Sequence, residues 1–231
     1  DRPEGGERFE TVCPDGEYSV VGCDDNSLTV DVLSYSFDGV AYSEPCGVPL
    51  AFKQLLEKRY KGTLYLKYSF DVSAIPERIS AAINTADIEK AFINGGELTV
   101  SESGGIDLGG RLRIGVNELV FKMRYSQNDN VYRVLFGENI TESLKNCLVY
   151  DSELEPLILR GDFGVEEPNG FVKGDRPEIL LGNRFVITKR SKKIKTLVDG
   201  GYPFFAGNIV LETTFSCGGG SVWLKLPGRW H

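Results

Sequence analysis

The chain has 231 residues, 26 Lys and Arg against 33 Asp and Glu, a formal charge of −7, and 41% hydrophobic and 26% charged residues. That balance is ordinary for a globular chain. An acidic protein with one short basic run is poorly suited to neutralising phosphates, so nucleic acid is not an expected partner. No apolar stretch approaches the roughly 20 residues of a membrane-spanning helix, so a membrane is not expected either.

The first residues, Asp1-Arg2-Pro3-Glu4-Gly5-Gly6-Glu7, are polar and do not have the form of a signal peptide. Residues 27–37 alternate, with Leu28, Val30 and Val32 on one face, before Phe37-Asp38-Gly39, whose Asp-Gly pair favours a hairpin. Residues 51–59 predict one short amphipathic helix. Gly62–Val72 and residues 79–83 predict strands, and residues 88–92 predict another that enters a tight Asn94-Gly95 turn and returns over 97–100. Further strands are expected at 106–108, 112–114, 117–125, 131–136, 148–150 and 155–163. Residues 166–170, Glu-Glu-Pro-Asn-Gly, read as a boundary, and 185–188 with 196–198 as a new hairpin beyond it. Many short strands and little helix predict an all-β jelly-roll sandwich.

The second part repeats the first. Gly62, Leu66 and Phe70 recur as Gly207, Leu211 and Phe215 at one constant offset. Further apolar runs follow the first copy, whereas only residues 222–226 follow the second. The expected organisation is a whole β-sandwich over 1–165 and the start of a second, truncated one over 166–231, as in a fragment of a longer protein. Truncation would leave sheet edges open to another chain, so a homodimer through those edges is expected.

Several chemistries are absent. The single histidine is His231, which leaves no imidazole for Ser-His-Asp or Cys-His catalysis within a fold and none of the usual zinc sets. Gly104-Gly105 and Gly218-Gly219-Gly220 lack the Lys and the strand–loop–helix context of a phosphate loop. The five cysteines, Cys13, Cys23, Cys46, Cys147 and Cys217, include no C-x-x-C pair. Their odd number and wide spacing favour scattered thiols of a reduced, cytoplasmic setting over a secreted Cys13–Cys23 disulfide.

No cofactor is called for. Residues 24–26 and 127–130 carry oxygen ligands that a structural Ca²⁺ would take, and they are equally the residues of turns. Asp151, Glu153 and Glu155 would share a face in a strand, either as a ligand site or as a solvated acidic edge. The run Lys189-Arg190-Ser191-Lys192-Lys193-Ile194-Lys195 reads as a charge-protected edge, or as a patch for an acidic partner. Tyr202, Phe204, Phe205, Trp223 and Trp230 crowd the last 30 residues. Tyr202 and Trp230, with Arg229 beside the latter, are the candidate carbohydrate contacts, because flat rings stack on sugar faces; in a sandwich such rings are more often core.

Residues 26–31 (N-S-L-T-V-D), 35–39 (Y-S-F-D-G), 60–70 (Y-K-G-T-L-Y-L-K-Y-S-F), Ile93-Asn94-Gly95, Gly115-Val116-Asn117-Glu118-Leu119, 159–165 (L-R-G-D-F-G-V) and 201–207 (G-Y-P-F-F-A-G) follow in order. Together they resemble the accessory galactose-binding-domain-like jelly rolls of bacterial glycoside hydrolases related to family 2. That resemblance implies a non-catalytic carbohydrate-associated module, with catalytic carboxylates on a separate barrel in the missing domains of the parent chain. The alternative is a structural or interaction sandwich without sugar affinity. Exposure of the aromatic rings separates the two.

Overall fold

The computed structural model describes residues 10–12, 16–84, 87–100, 105–173, 175, 180–181, 184–218 and 222–224. These form an all-β sandwich of mostly antiparallel sheets with three short helices. The larger sheet is built on Gly62–Val72 and Gly115–Tyr125, paired antiparallel along their whole length, Gly62 opposite Tyr125 and Val72 opposite Gly115. Ile88–Ile93 and Gly96–Leu98 extend it beyond Gly115–Tyr125. Along the other edge of Gly62–Val72 sit two partners, Val32–Ser36 and, in parallel, Val186–Lys189. Phe163–Glu166 then pairs with Val186–Lys189. The smaller sheet has the order Gly105–Asp107, Ile79–Ala82, Leu157–Gly161, Asn26–Val30.

Alternation decides which side chains meet. Leu64, Leu66, Tyr68, Phe70 and Val72 face inward with Leu119, Phe121, Met123 and Tyr125. Leu28, Ile79, Ala81, Ile106, Leu157 and Leu159 of the smaller sheet belong to the same core. Each large apolar side chain so buried contributes about 1.5–3 kcal/mol. The expected hairpin is present: Asn94 and Gly95 have φ of 50° and 84° between Ile88–Ile93 and Gly96–Leu98, the paired positive angles of a two-residue hairpin turn.

Other expectations are corrected. Residues 27–37 are two strands, not one, because the burial phase slips at Asp31: Leu28 is buried, Val32 is exposed, and Leu33 and Tyr35 are buried. Asn26–Val30 lies in the smaller sheet and Val32–Ser36 in the larger, so the chain crosses between layers there. Asp38-Gly39 is not a tight two-residue turn but opens the longer loop of a hairpin, in which Val32–Ser36 pairs antiparallel with Cys46–Gly47. Within that loop Asp38 Oδ1 accepts from Val40 N and Ala41 N at 2.8 and 2.9 Å. Residues 131–136 belong to the helix Asp129–Phe136, capped by the Asn128 side chain. No strand forms at 112–114 or 148–150. The expected helix spans Val48–Glu57, with Pro49 in its first turn, where a missing N–H costs nothing.

Phe163–Glu166 runs across the expected 165/166 boundary, and Val186–Lys189 beyond it belongs to the larger sheet. Residues 185–188 and 196–198 do not pair with each other. Instead Lys193–Ile194 and Ile209–Glu212 flank Tyr18–Cys23 in a three-stranded sheet. Val222–Leu224 pairs in parallel with Glu10–Val12. Lys193–Ile194, Ile209–Glu212 and Val222–Leu224 therefore find partners in the N-terminal strands, whereas Val172–Lys173 pairs with Leu180–Leu181.

Candidate functional site

Asn26 opens its strand with a fully buried side chain. A buried amide needs partners. Its Nδ2 donates to Phe163 O at 3.0 Å and Gly201 O at 2.8 Å, and its Oδ1 accepts from Ser27 N at 2.9 Å. One side chain thereby ties the smaller sheet to the strand Phe163–Glu166 and to the turn before Tyr202. Val165 N also donates to Gly201 O, at 2.9 Å. Gly201 has φ 92°, a conformation that favours glycine.

A second set of bonds lies alongside. Arg190 Nη2 donates to Asp24 O at 3.0 Å and Gly161 O at 3.2 Å. Asp162 N donates to Arg78 O at 3.1 Å, and Arg78 N to Asp162 Oδ1 at 2.9 Å. These strands run so close that a Cβ on Gly161 would overlap the Arg78 carbonyl oxygen. Asp24 Oδ2 accepts from Asn208 N at 2.7 Å and Asn208 Nδ2 at 3.1 Å.

Two clefts flank this junction. One, of about 670 Å³, is lined by Lys189, Arg190 and Lys192, by Glu77 and Asp162, and by apolar residues that include Ile75 and Pro76. The other, of about 750 Å³, lies on the face of the smaller sheet turned away from the core. Arg78, Arg160, Asp25, Asp107 and Ser80 are among its walls. Among the described residues, no aromatic ring lines either cleft.

Tyr202, expected as a ring platform, is only 2% exposed. Its hydroxyl donates to Ser191 O at 3.1 Å, and its ring meets Phe205 edge-on at 5.7 Å between centroids. Burial pushes its hydroxyl pKa up to about 12, with Cys23 acting in the same direction and Arg190 opposing. An enclosed ring offers no face to a sugar, so Tyr202 is corrected to a core residue. Arg229 and Trp230 lie outside the described residues, as does Cys13 of the Cys13–Cys23 pairing. Burial raises the Cys23 thiol, against an opposing effect of Arg190.

The candidate oxygen ligands serve the fold. Asp25 pairs with Arg78 at 3.0 Å. Asn128 Oδ1 accepts from Val131 N at 3.2 Å as a helix cap, and its Nδ2 donates to Asp151 Oδ2 at 2.8 Å. Glu155 Oε2 accepts from Asn84 N at 3.3 Å, and no strand forms over Asp151, Glu153 and Glu155. Among the described residues, no three His, Cys, Asp or Glu side chains gather as a metal ion would need.

Sequence reasoning missed Arg190, because a cation within a basic run reads as solvated. The available signal was position: it directly follows the apolar pair Val186-Ile187 and two more strand residues, where a side chain can turn back into the sheet.

No family model matches the chain, and no curated protein matches it. Among solved structures the chain is similar to β-glucuronidase from Ruminococcus gnavus. In complex with N1-substituted uronic isofagomine, that enzyme gives 18% identity and a TM-score of 0.40, covering 68% of this chain and 34% of that one. With D-glucaro-d-lactam the values are 18% and 0.41, over the same 68% and 34%. The crystal structure of the β-glucuronidase gives 17% and 0.40, again over 68% and 34%. The chain thus spans about a third of that enzyme's length.

Proposed function

We propose that this chain is a non-catalytic, carbohydrate-associated β-sandwich module of a bacterial glycoside hydrolase, and that its contribution is to hold parts of that enzyme in place. The reading rests on the ordered motifs that resemble such accessory domains. Its scaffolding part is carried by one observation, the bridge that Asn26 makes from the smaller sheet to Phe163 O and Gly201 O. The other motif asparagines are used in the same way. Asn117 is fully buried, donating to Arg113 O at 2.7 Å and Gly115 O at 3.0 Å, and Asn94 donates to Asn117 Oδ1 at 2.8 Å. Side chains so engaged are not free to meet a ligand.

The test is a glycan array with and without Ca²⁺, followed by calorimetry on any hit. The expected result is silence, or weak binding that Tyr202→Phe leaves unchanged. Strong binding that Tyr202→Phe abolishes would contradict the scaffolding assignment.

A second reading, direct sugar contact, is favoured by the 750 Å³ cleft. Arg160 lies opposite Ser80 on neighbouring strands, near Asp107 and the Arg78–Asp25 pair, so donors and acceptors alternate along its walls. Placed polar groups of this kind fix a ligand's orientation. On this reading Arg160→Ala removes an array hit without lowering Tm, and a hit that survives the substitution refutes it.

A further inference from the structure

The basic run at 189–195 is not uniformly turned to solvent. Arg190 spends Nη2 on two backbone carbonyls, whereas its Nε is shielded from solvent and meets no acceptor among the described residues. The same residue lines the 670 Å³ cleft together with Lys189 and Lys192. Against these three cations stand Glu77 and Asp162, and Asp162 Oδ1 already accepts from Arg78 N. In a chain of charge −7 this cleft carries a local excess of positive charge. Val20, Val21, Ile75 and Pro76 give it an apolar side as well.

We propose that this cleft binds a small organic carboxylate. The carboxylate lies against the part of the Arg190 side chain that lines the cleft, with Lys189 and Lys192 adding attraction from the rim. The ligand's carbon body lies against Ile75 and Pro76. An inorganic oxyanion would satisfy the cations and leave the apolar side wet, so the carbon body distinguishes the ligand class. Binding here is independent of the accessory-module reading, which uses neither this cleft nor its cations.

The experiment titrates the whole chain with benzoate, and separately with inorganic phosphate, at fixed ionic strength. Calorimetry gives affinity, and a thermal melt of every variant reports folding. Benzoate is expected to saturate one site about tenfold more tightly than phosphate. Charge-assisted contacts of this kind set the expected losses: about tenfold or more in Arg190→Gln, and several-fold in the double variant Lys189→Ala/Lys192→Ala, with the loss shrinking as salt rises. The double variant alters exposed side chains and decides the matter if Arg190→Gln does not fold. Three results would overturn the proposal: no saturable benzoate binding, phosphate binding more tightly than benzoate, or an unchanged affinity in the double variant.

Discussion

Gly62–Val72 and residues 207–217 carry the same signals and meet different fates. In the first, every residue is in a strand, and Leu66 and Phe70 are 2% and 5% exposed. In the second, the strand is Ile209–Glu212 alone, and Phe215, the counterpart of Phe70, is 45% exposed. The first strand is flanked on both edges and covered by the smaller sheet. The second pairs with Tyr18–Cys23 and lies at the edge of a three-stranded sheet among the described residues. Alternation thus specifies an apolar face, while burial depends on what lies across from it.

The sharpest way to break this comparison is to truncate the matched phenylalanines. Phe70→Ala is expected to cost about 3–5 kcal/mol in urea unfolding, and Phe215→Ala no more than about 0.5 kcal/mol. Equal losses would mean that the second copy is buried after all. Next in size, Gly161→Ala forces apart the Arg78 and Gly161 strands. It should cost about 3 kcal/mol, at the upper end for overpacking, with a lowered Tm as the readout. Asn26→Ala leaves the Phe163 and Gly201 carbonyls without their donor and should cost about 2 kcal/mol. If it costs nothing, the bridge between the sandwich and the later segment is not a structural tie.

The smallest effect is a pH dependence. Hydrogen bonds from Val40 N, Ala41 N and the Ser36 hydroxyl lower the Asp38 pKa to about 2. A lowered carboxylate pKa stabilises the fold above its ordinary value near 4 and loses that contribution as pH falls towards 2. In Asp38→Ala, urea midpoints followed from pH 5 to pH 2 should fall less steeply than in the parent chain.

Much of the sandwich was legible in the sequence. Gly62–Val72 and Gly115–Tyr125 alternate cleanly, and Asn94-Gly95 between apolar runs has few other meanings. Residues 131–136 were not legible as helix, because a six-residue run that is apolar but for Arg133 fits either period; the deciding signal was the Asn128-Asp129 cap preceding them. The split at Asp31 was visible only as a change of phase, from Leu28 and Val30 to Leu33 and Tyr35. The site was the least legible part. Nothing local marks Asn26 as the partner of Phe163 and Gly201, 137 and 175 residues away. Nor does sequence tell an enclosed Tyr202 from an exposed one.

Native-state hydrogen exchange tests the central claim most directly, that the Asn26 junction fastens the Phe163–Glu166 strand and the turn at Gly201 to the smaller sheet. Amides of Gly62–Val72 and Gly115–Tyr125 should exchange only through global unfolding, and so should Val165 N and Tyr202 N, which bond to Gly201 O and Leu197 O. Residues 213–217 should exchange orders of magnitude faster. If Val165 and Tyr202 exchange as fast as residues 213–217, the junction opens independently of the sandwich and the scaffolding account fails.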